Sequence, residues 1–597
     1  MRSWHYLLFA AASLTFLTAA APQKPTQPPI PSVGETLDIA IANVDVVVTD
    51  KQGNRVRGLT RDDFELFEGK QQKPISNFAE YGPTQPPTSK ATVTGVSATA
   101  PQAQPAAKPV TPRPPRTLVV FIDNMSLRRD QRPQLFASIK SFIRRTIEPG
   151  DAVLVVTWHS YLDARIGFTD DVASVEKAID RISDEIRVST GSGASDLRAE
   201  ELRYEAMERE MAQGKTAATL PAIGRNAPVA ATPGPAADTS TINGYVDCLA
   251  ARTDAKMAWF DIRNKVAALN SLLSSMAGRE GKKILLLASH RLSKVAGAEF
   301  FYYACHLNNL PADIRAELGT DQLFDPLVKT ANANGVTIYP IYPAGMEKTI
   351  SDATVQGYGA APSPVTDTLV MNNELTSLGE LARATGGSVA WGTSDVATFL
   401  PRVADELDSY YSLAYRLDDA KGDSTHNITV RTKNRAYVVR ARSAFVEKSD
   451  DTKMRDRVIG TLFHSSPWSN MKLTVDVGKP TEVAKNRRQV AVKIPIQSLT
   501  ALPQNGTNAG AFTVYVAWGG IFGEVSDVTK NTQQFTIDPK DLERARNGYF
   551  TYELNVVCDP ATNRLAVGVF DEVSKEYGLT RVDLNQPAPA QQQTEVR

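Results

Sequence analysis

The chain has 597 residues, 42% of them hydrophobic, with 66 Lys+Arg against 66 Asp+Glu and hence a formal net charge of zero. That length is too great for one core and predicts about three or four domains. The balanced charge offers no global attraction for nucleic acid or an anionic membrane, so neither is expected as a partner.

Residues 1–21 carry Arg2, an apolar run from Tyr6 to Leu17, and Ala19 and Ala21 at a cleavage point, the pattern of a secretory signal peptide. The run is shorter than the ~20 residues of a membrane span. No later segment is long and apolar enough to cross, so the mature chain is expected to lack a transmembrane segment. Export places it in the periplasm, at the cell surface or outside the cell. Cys248, Cys305 and Cys558 are too few for a disulfide framework, and one bridge between Cys248 and Cys305 or free buried thiols both fit.

Residues 22–35 read as a flexible segment. Residues 36–81 alternate as a small β unit, with strands in LDIAIANVDVVVTD, Arg55 to Leu59, Phe64 to Glu68 and Ile75 to Tyr81, and a turn at Asp50-Lys51-Gln52-Gly53. This unit is too small to be stable alone and should borrow strands. A Pro-rich linker occupies 82–116.

From 117 to 409 strands and helices alternate, as in a doubly wound α/β unit with a mostly parallel sheet. Strands are expected at 117–123, 152–158, 164–168, 283–289, 335–341 and 387–391. Helices are expected at about 130–147, 172–183, 254–277, 320–333, 374–384 and 395–409. Gly150, Gly281, Gly335 and Gly386 each fall where a helix should be capped before the next strand. Insertions are expected at 187–253 and 342–367. Residues 410–446 return to strands as a β-hairpin extension that should pack with 36–81, making a split module. Six or seven strands between 455 and 585 suggest a C-terminal β-sandwich, and 586–597 a disordered tail.

Several reaction signatures fail on spacing. Gln213-Gly214-Lys215-Thr216 ends like a phosphate loop, but Arg209 stands where its first glycine belongs. The six histidines show no H-x-x-x-H spacing, and no G-x-S-x-G elbow exists, so neither a zinc nor a serine hydrolase is supported. Trp468, Tyr515 and Trp518 could mark a carbohydrate surface or ordinary core packing. The stretch TLVVFIDNMSL stands out, because its apolar run ends abruptly in Asp123-Asn124 at the strand's carboxyl end, where open α/β sheets bind ligands. Asp123 and Asn124 could equally cap the next helix or close a turn.

The order of TLVVFIDNMSL, AVLVVTW, FTDD, KKILLLASH and GVTIYPIYP resembles the von Willebrand factor A-like fold. The segments VDVVVTDKQGNRVRGLTRDDFELFEGKQQKPISNFAEY and LGELARATGGSVAWGTSDVATFLPRVADELDSYYSLAYRL are similar to the two ends of the bacterial VWFA-related domain proteins first noted in acidobacteria. The resemblance spans roughly residues 38 to 446. It implies export and protein binding or adhesion, in a family with no settled biochemical activity; since no acid-base or nucleophile constellation can be assembled from the residues, binding through the loops at the sheet's carboxyl end is expected and catalysis is not. Asp123, Asn124 and Ser126 are then the partner-binding residues.

Metal-binding members of the fold hold a divalent cation with a D-x-S-x-S loop, a threonine and an aspartate, which suits Mg²⁺ or Mn²⁺. Here Met125 and Leu127 replace the two serines, and His290 falls at the usual aspartate. The degenerate set left is Asp123, Ser126 and Thr253. The rival expectation is a structural or assembly component of the cell envelope with a vestigial cation site, and a hydrolase is the weaker third.

Overall fold

The computed structural model describes residues 41–82, 115–127, 131–188, 239–277, 279, 281–305, 307, 309–343, 364–417, 422–463, 471–478, 487–504, 506–520, 525–557 and 562–584. The expected signal peptide, flexible segment, Pro-rich linker and tail, and most of the two insertions, lie outside the described residues.

In chain order, the first strands are β1 (Ile41–Thr49), β2 (Phe64–Glu68), β3 (Gln71–Lys73) and β4 (Asn77–Tyr81). An α/β unit follows with β5 (Arg116–Asp123), α1 (Arg132–Thr146), β6 (Ala152–Trp158), β7 (Leu162–Thr169), α2 (Val172–Val188), α3 (Thr239–Ser275) and β8 (Lys282–Ala288). It continues through α4 (Ala298–Ala304), α5 (Ala312–Leu318), α6 (Asp321–Asn334), β9 (Val336–Tyr342), α7 (Pro364–Thr385), β10 (Ala390–Trp391) and α8 (Thr393–Asp408). Next come β11 (Tyr410–Arg416), β12 (Thr425–Thr432), β13 (Val438–Ala441), β14 (Ala444–Val446) and α9 (Asp450–Phe463). The last strands are β15 (Thr474–Val477), β16 (Arg487–Pro495), β17 (Leu502–Gln504), β18 (Thr507–Gly520), β19 (Thr529–Ile537), β20 (Tyr549–Val557), β21 (Thr562–Asp571) and β22 (Tyr577–Asp583).

The central sheet has the order β10-β9-β8-β5-β6-β7 and is parallel except for β7, which runs antiparallel to β6 at the edge. Every residue of β5 is buried, because helices cover both faces of a parallel sheet. On one face Leu135, Ile139 and Phe142 of α1, Ile179 of α2 and Phe399 of α8 pack on Val120 and Ile122. On the other, Ile262, Leu269 and Leu273 of α3, Leu327 of α6 and Leu378 of α7 pack on Val119 and Phe121. Gly335 caps α6 with φ +66°, a left-handed conformation that glycine adopts without a Cβ penalty.

The segments flanking this unit interleave. β1 pairs with β11 and β13, and β11 with β4, in a sheet of order β13-β1-β11-β4. A second sheet, β14-β12-β2-β3, joins β2 to β12. Alternation sends Val44, Val46, Leu66, Tyr411, Leu413 and Tyr415 into one shared core. Arg55 to Leu59 does not form the expected strand. Val56 donates to Val48, but the Tyr411 hydroxyl donates to the Val56 carbonyl and accepts from Leu59, so a side chain satisfies that backbone in place of a ladder.

Beyond 446, a three-stranded sheet (β15-β16-β20) faces a larger antiparallel sheet (β17-β18-β21-β22, with β19 on β18) across a core that includes Val490, Val492, Phe512, Val514, Val567 and Val569. Helix α9 lies on the outer side of the larger sheet through Met454, Val458 and Leu462. It also meets α3 so closely that a Cβ on Gly460 would stand 2.6 Å from the Ser275 Cα. Tyr515 is buried with its hydroxyl donating to Asp451, which is core packing and not a displayed aromatic. Trp518 is half-buried against the core, and Trp468 lies outside the described residues.

Candidate functional site

The connections run outward from β5 through β6 to β7 on one side and from β8 through β9 to β10 on the other, so the order reverses between β5 and β8. Asp123 ends β5 at that reversal, with Ser289 directly after β8 beside it. The Asp123 carboxylate closes its own loop, with Oδ1 accepting from the Met125 and Ser126 amides at 3.1 and 3.2 Å. Its Oδ2 accepts from the Ser289 hydroxyl at 2.6 Å. The Ser126 hydroxyl accepts from the His290 amide at 2.9 Å, which ties the β5 loop to the β8 loop.

Lys265, which no motif in the sequence marks, completes the arrangement. Lys265, on α3, places Nζ 2.7 Å from Asp123 Oδ2, and both side chains are 0% exposed. Asp261, one turn earlier, lies 3.4 Å from the same Nζ. At 2.7 Å the contact with Asp123 is a charge-assisted ion pair. Burial opposes both charges, but Lys265 and the hydroxyl contacts hold the Asp123 carboxyl below its ordinary value. Asp123 and then Asp261 likewise hold the Lys265 ammonium above its own. Both groups are therefore ionised at neutral pH.

This geometry does not fit a divalent cation. A dication on Oδ2 would sit within roughly 4 Å of the ammonium, a repulsion on the order of 8 kcal/mol even at an effective dielectric constant of 20. Met125 and Leu127 supply no oxygen, and the Ser126 oxygen is already engaged. Thr253 is not brought to the site, because α3 begins at Thr239 and not at 254, which places Thr253 inside the helix. It lies twelve residues before Lys265, roughly 18 Å along the axis at 1.5 Å per residue. Among the described residues no three His, Cys, Asp or Glu side chains are grouped to hold a metal.

His290 stands at the β8 loop as expected but turns its ring away from Asp123. Its Nε2 lies 3.1 Å from Gln131 Oε1, and its ring meets Tyr342 edge-on at 4.7 Å. Asp123, Ser289 and His290 therefore hold the residue types of a hydrolytic triad without its wiring, since no imidazole receives the serine proton.

Asp123 has no surface with which to touch a partner, a correction to its expected role, and it shapes the loop from inside. The half-buried Asn124, Met125 and Ser126 form the outward part. Asn124 Nδ2 lies 2.9 Å from His159 Nε2, which also receives Arg165 Nη2 at 3.3 Å. Because an arginine can only donate, Nε2 is the acceptor in the Arg165 contact. Arg132 fixes the loop's far side through the Asn124 and Leu127 carbonyls at 2.9 and 3.0 Å.

No family model matches the chain, and no curated protein does. Among solved structures it is similar to a von Willebrand factor type A protein from Catenulispora acidiphila, at 10% identity and TM-score 0.20, over 79% of this chain and 66% of that one. It is also similar to the open conformation of the pilus adhesin SpaC from Lactobacillus rhamnosus GG, at 8% identity and TM-score 0.25, over 79% and 52%. A third similarity is to proximal thread matrix protein 1 from the mussel byssus, at 11% identity and TM-score 0.21, over 49% and 48%. The matched part thus spans about half to two thirds of those chains. Scores at this level carry no argument about activity.

Proposed function

We propose that this chain is an exported binding or adhesion protein of the von Willebrand factor A-like kind, which captures a protein partner through the loops at the carboxyl end of its central sheet without a metal ion. The observation that carries this reading is the buried Asp123–Lys265 pair at the sheet's switch point, where an ammonium stands in for the cation of the metal-binding members. Asn124 and Ser126, with His159 on the neighbouring loop, form the contact rim. Binding and not catalysis is favoured because Ser289, whose hydroxyl donates to Asp123, is wholly buried and has no imidazole to take its proton. Cys305 is disulfide-bonded, which supports an oxidising compartment and hence the periplasm, the cell surface or the medium. Among the described residues no helix is long and apolar enough to cross a membrane.

A second reading, a structural component of the cell envelope, is favoured by the complete burial of Asp123, which leaves its carboxylate unavailable to a partner. A photo-crosslinking residue at Ser160, exposed beside His159, separates the two in source cells. The binding reading expects one discrete protein adduct that persists in chelator. Adducts formed only from Lys530, on the C-terminal sheets, would support the envelope component, and loss of the Ser160 adduct in chelator would refute metal-free capture.

A further inference from the structure

The opposite end of the central sheet holds a cavity that the loop-face reading leaves unused. Its volume is about 270 Å³, and it lies between the amino-terminal ends of β8 and β9 and the outward face of the β13-β1-β11-β4 sheet. The alternation that turns Val44, Val46 and Leu413 into the module's core turns Asp45, Ser412 and Arg440 toward this seam.

Four cationic residues line the cavity, Lys282, Lys283, Arg440 and Arg442, against one carboxylate, Asp45. Arg440 is paired with Glu406. Among the described residues the other three have no carboxylate within 4.0 Å. Their ammonium and guanidinium groups meet only neutral acceptors. Lys282 Nζ donates to the Glu406 carbonyl at 3.2 Å and lies 3.9 Å from the centre of the Tyr410 ring. Lys283 Nζ donates to the Asn334 carbonyl at 2.9 Å, and Arg442 Nη1 to the Asn332 carbonyl at 3.2 Å. Arg440 Nη1 and Arg442 Nε are buried without an acceptor. Burial lowers the Lys282 ammonium against the opposing pull of Asp45 and Glu406, and burial together with Lys448 and Arg442 pushes that of Lys283 down to about 8.

Carbonyl dipoles do not neutralise a cluster of whole charges, and Asp45 and Glu406 offset only part of it, so the cavity keeps an excess of cations that is costly to the fold. A concave site that keeps three of them attracts an anion from solution, and oxyanions match such donors in geometry as well as charge. We propose that this cavity binds a small oxyanion-bearing molecule of the phosphate, sulfate or polycarboxylate type, held by Lys282, Lys283 and Arg442 across the seam between the α/β unit and the split β module. The volume falls just below the usual range for drug-sized ligands, which favours an anion of few heavy atoms over a nucleotide. Because its ligands come from both sides of the seam, the anion clamps the two units together and raises the unfolding temperature.

The test titrates phosphate, sulfate and citrate separately into the purified mature chain, with chloride holding ionic strength constant, and reads calorimetric binding and the unfolding midpoint. Wild type is compared with Lys283→Met, Arg442→Gln and the control Lys540→Gln, whose side chain is 76% exposed elsewhere. Wild type and control should bind at least one of the three anions saturably, and the two cavity variants about tenfold or more weakly. Each cavity variant should keep an anion-free midpoint at or above wild type, since it removes one of the cavity's excess positive charges. Should Arg442→Gln fail to fold, Arg442→Lys retains the charge and should retain binding. Absence of saturable binding for all three anions, or equal binding by wild type and folded Lys283→Met, would overturn the proposal.

Discussion

Lys265 Nζ rests 2.7 Å from Asp123 Oδ2, and neither side chain has any exposed surface. The pair joins the end of β5 to the middle of α3, and Ser289 adds the end of β8. The charge that the fold's loop geometry collects at its switch point is thus balanced from within the chain, and the loop face is set before any ligand arrives.

Removing one member should strand a buried charge. Lys265→Met is expected to cost about 3–5 kcal/mol in reversible denaturant unfolding. The double variant Asp123→Asn/Lys265→Met should recover much of that loss, giving a strong coupling in a double-mutant cycle. Additive losses would mean that the two groups stabilise the fold independently.

The pair sets a broad pH window. Asp123 titrates below its ordinary 3.8 in the folded chain, so its contribution is present above that value and is lost as acid protonates the folded carboxylate. Lys265 titrates above its ordinary 10.5, so its contribution is complete below that value and is lost as pH rises through the folded pKa. Wild-type stability should fall at both extremes more steeply than that of the double variant, as read by unfolding midpoints across pH.

Lys283 should act with the opposite sign. Its folded pKa of about 8 lies below the ordinary 10.5, so the folded chain holds fewer protons between those values. Without an anion, stability should climb from about pH 8 toward 10.5, by roughly 1–3 kcal/mol. The groups that repel it are Lys448, Arg442, Arg279 and Arg457. A Lys283→Met chain should lack that climb when midpoints are measured over the same range.

Two glycines mark contacts that leave no room for a side chain. A Cβ on Gly281 would stand 1.8 Å from the Pro115 carbonyl oxygen at φ +79°, and one on Gly460 would meet Ser275 across α9 and α3. Alanine at either position should destabilise the chain by about 1–3 kcal/mol. For Gly460→Ala, proteolysis should report loosening of residues 450–584 before the α/β unit yields. An unchanged cleavage pattern would argue against α9 as the tie.

The α/β unit was legible because its strands are buried on both faces and read as apolar runs, TLVVFID and KKILLLA above all. Lys265 escaped notice because a lone lysine in a long helix looks like surface. Its signal was its place in the buried stripe of Ile262, Val266, Leu269 and Leu273, where an ammonium must find a carboxylate. Thr253 was misplaced because α3 starts fifteen residues before the expected 254, at Thr239. Helix α9 was overlooked in DDTKMRDRVIGTLF, although Met454, Val458 and Leu462 recur at helical spacing. The seam cavity has no local signature, since Lys283 and Arg442 meet only through the interleaving of distant strands.

The most direct test is the unfolding midpoint of the mature chain in chelator and with added Mg²⁺ or Mn²⁺, for wild type and Lys265→Ala. The account predicts no response in wild type, and stabilisation by cation in the variant, where Asp123, Asp261 and the neighbouring hydroxyls lose their internal counter-charge. A wild-type midpoint that rises with either cation and falls in chelator would contradict it.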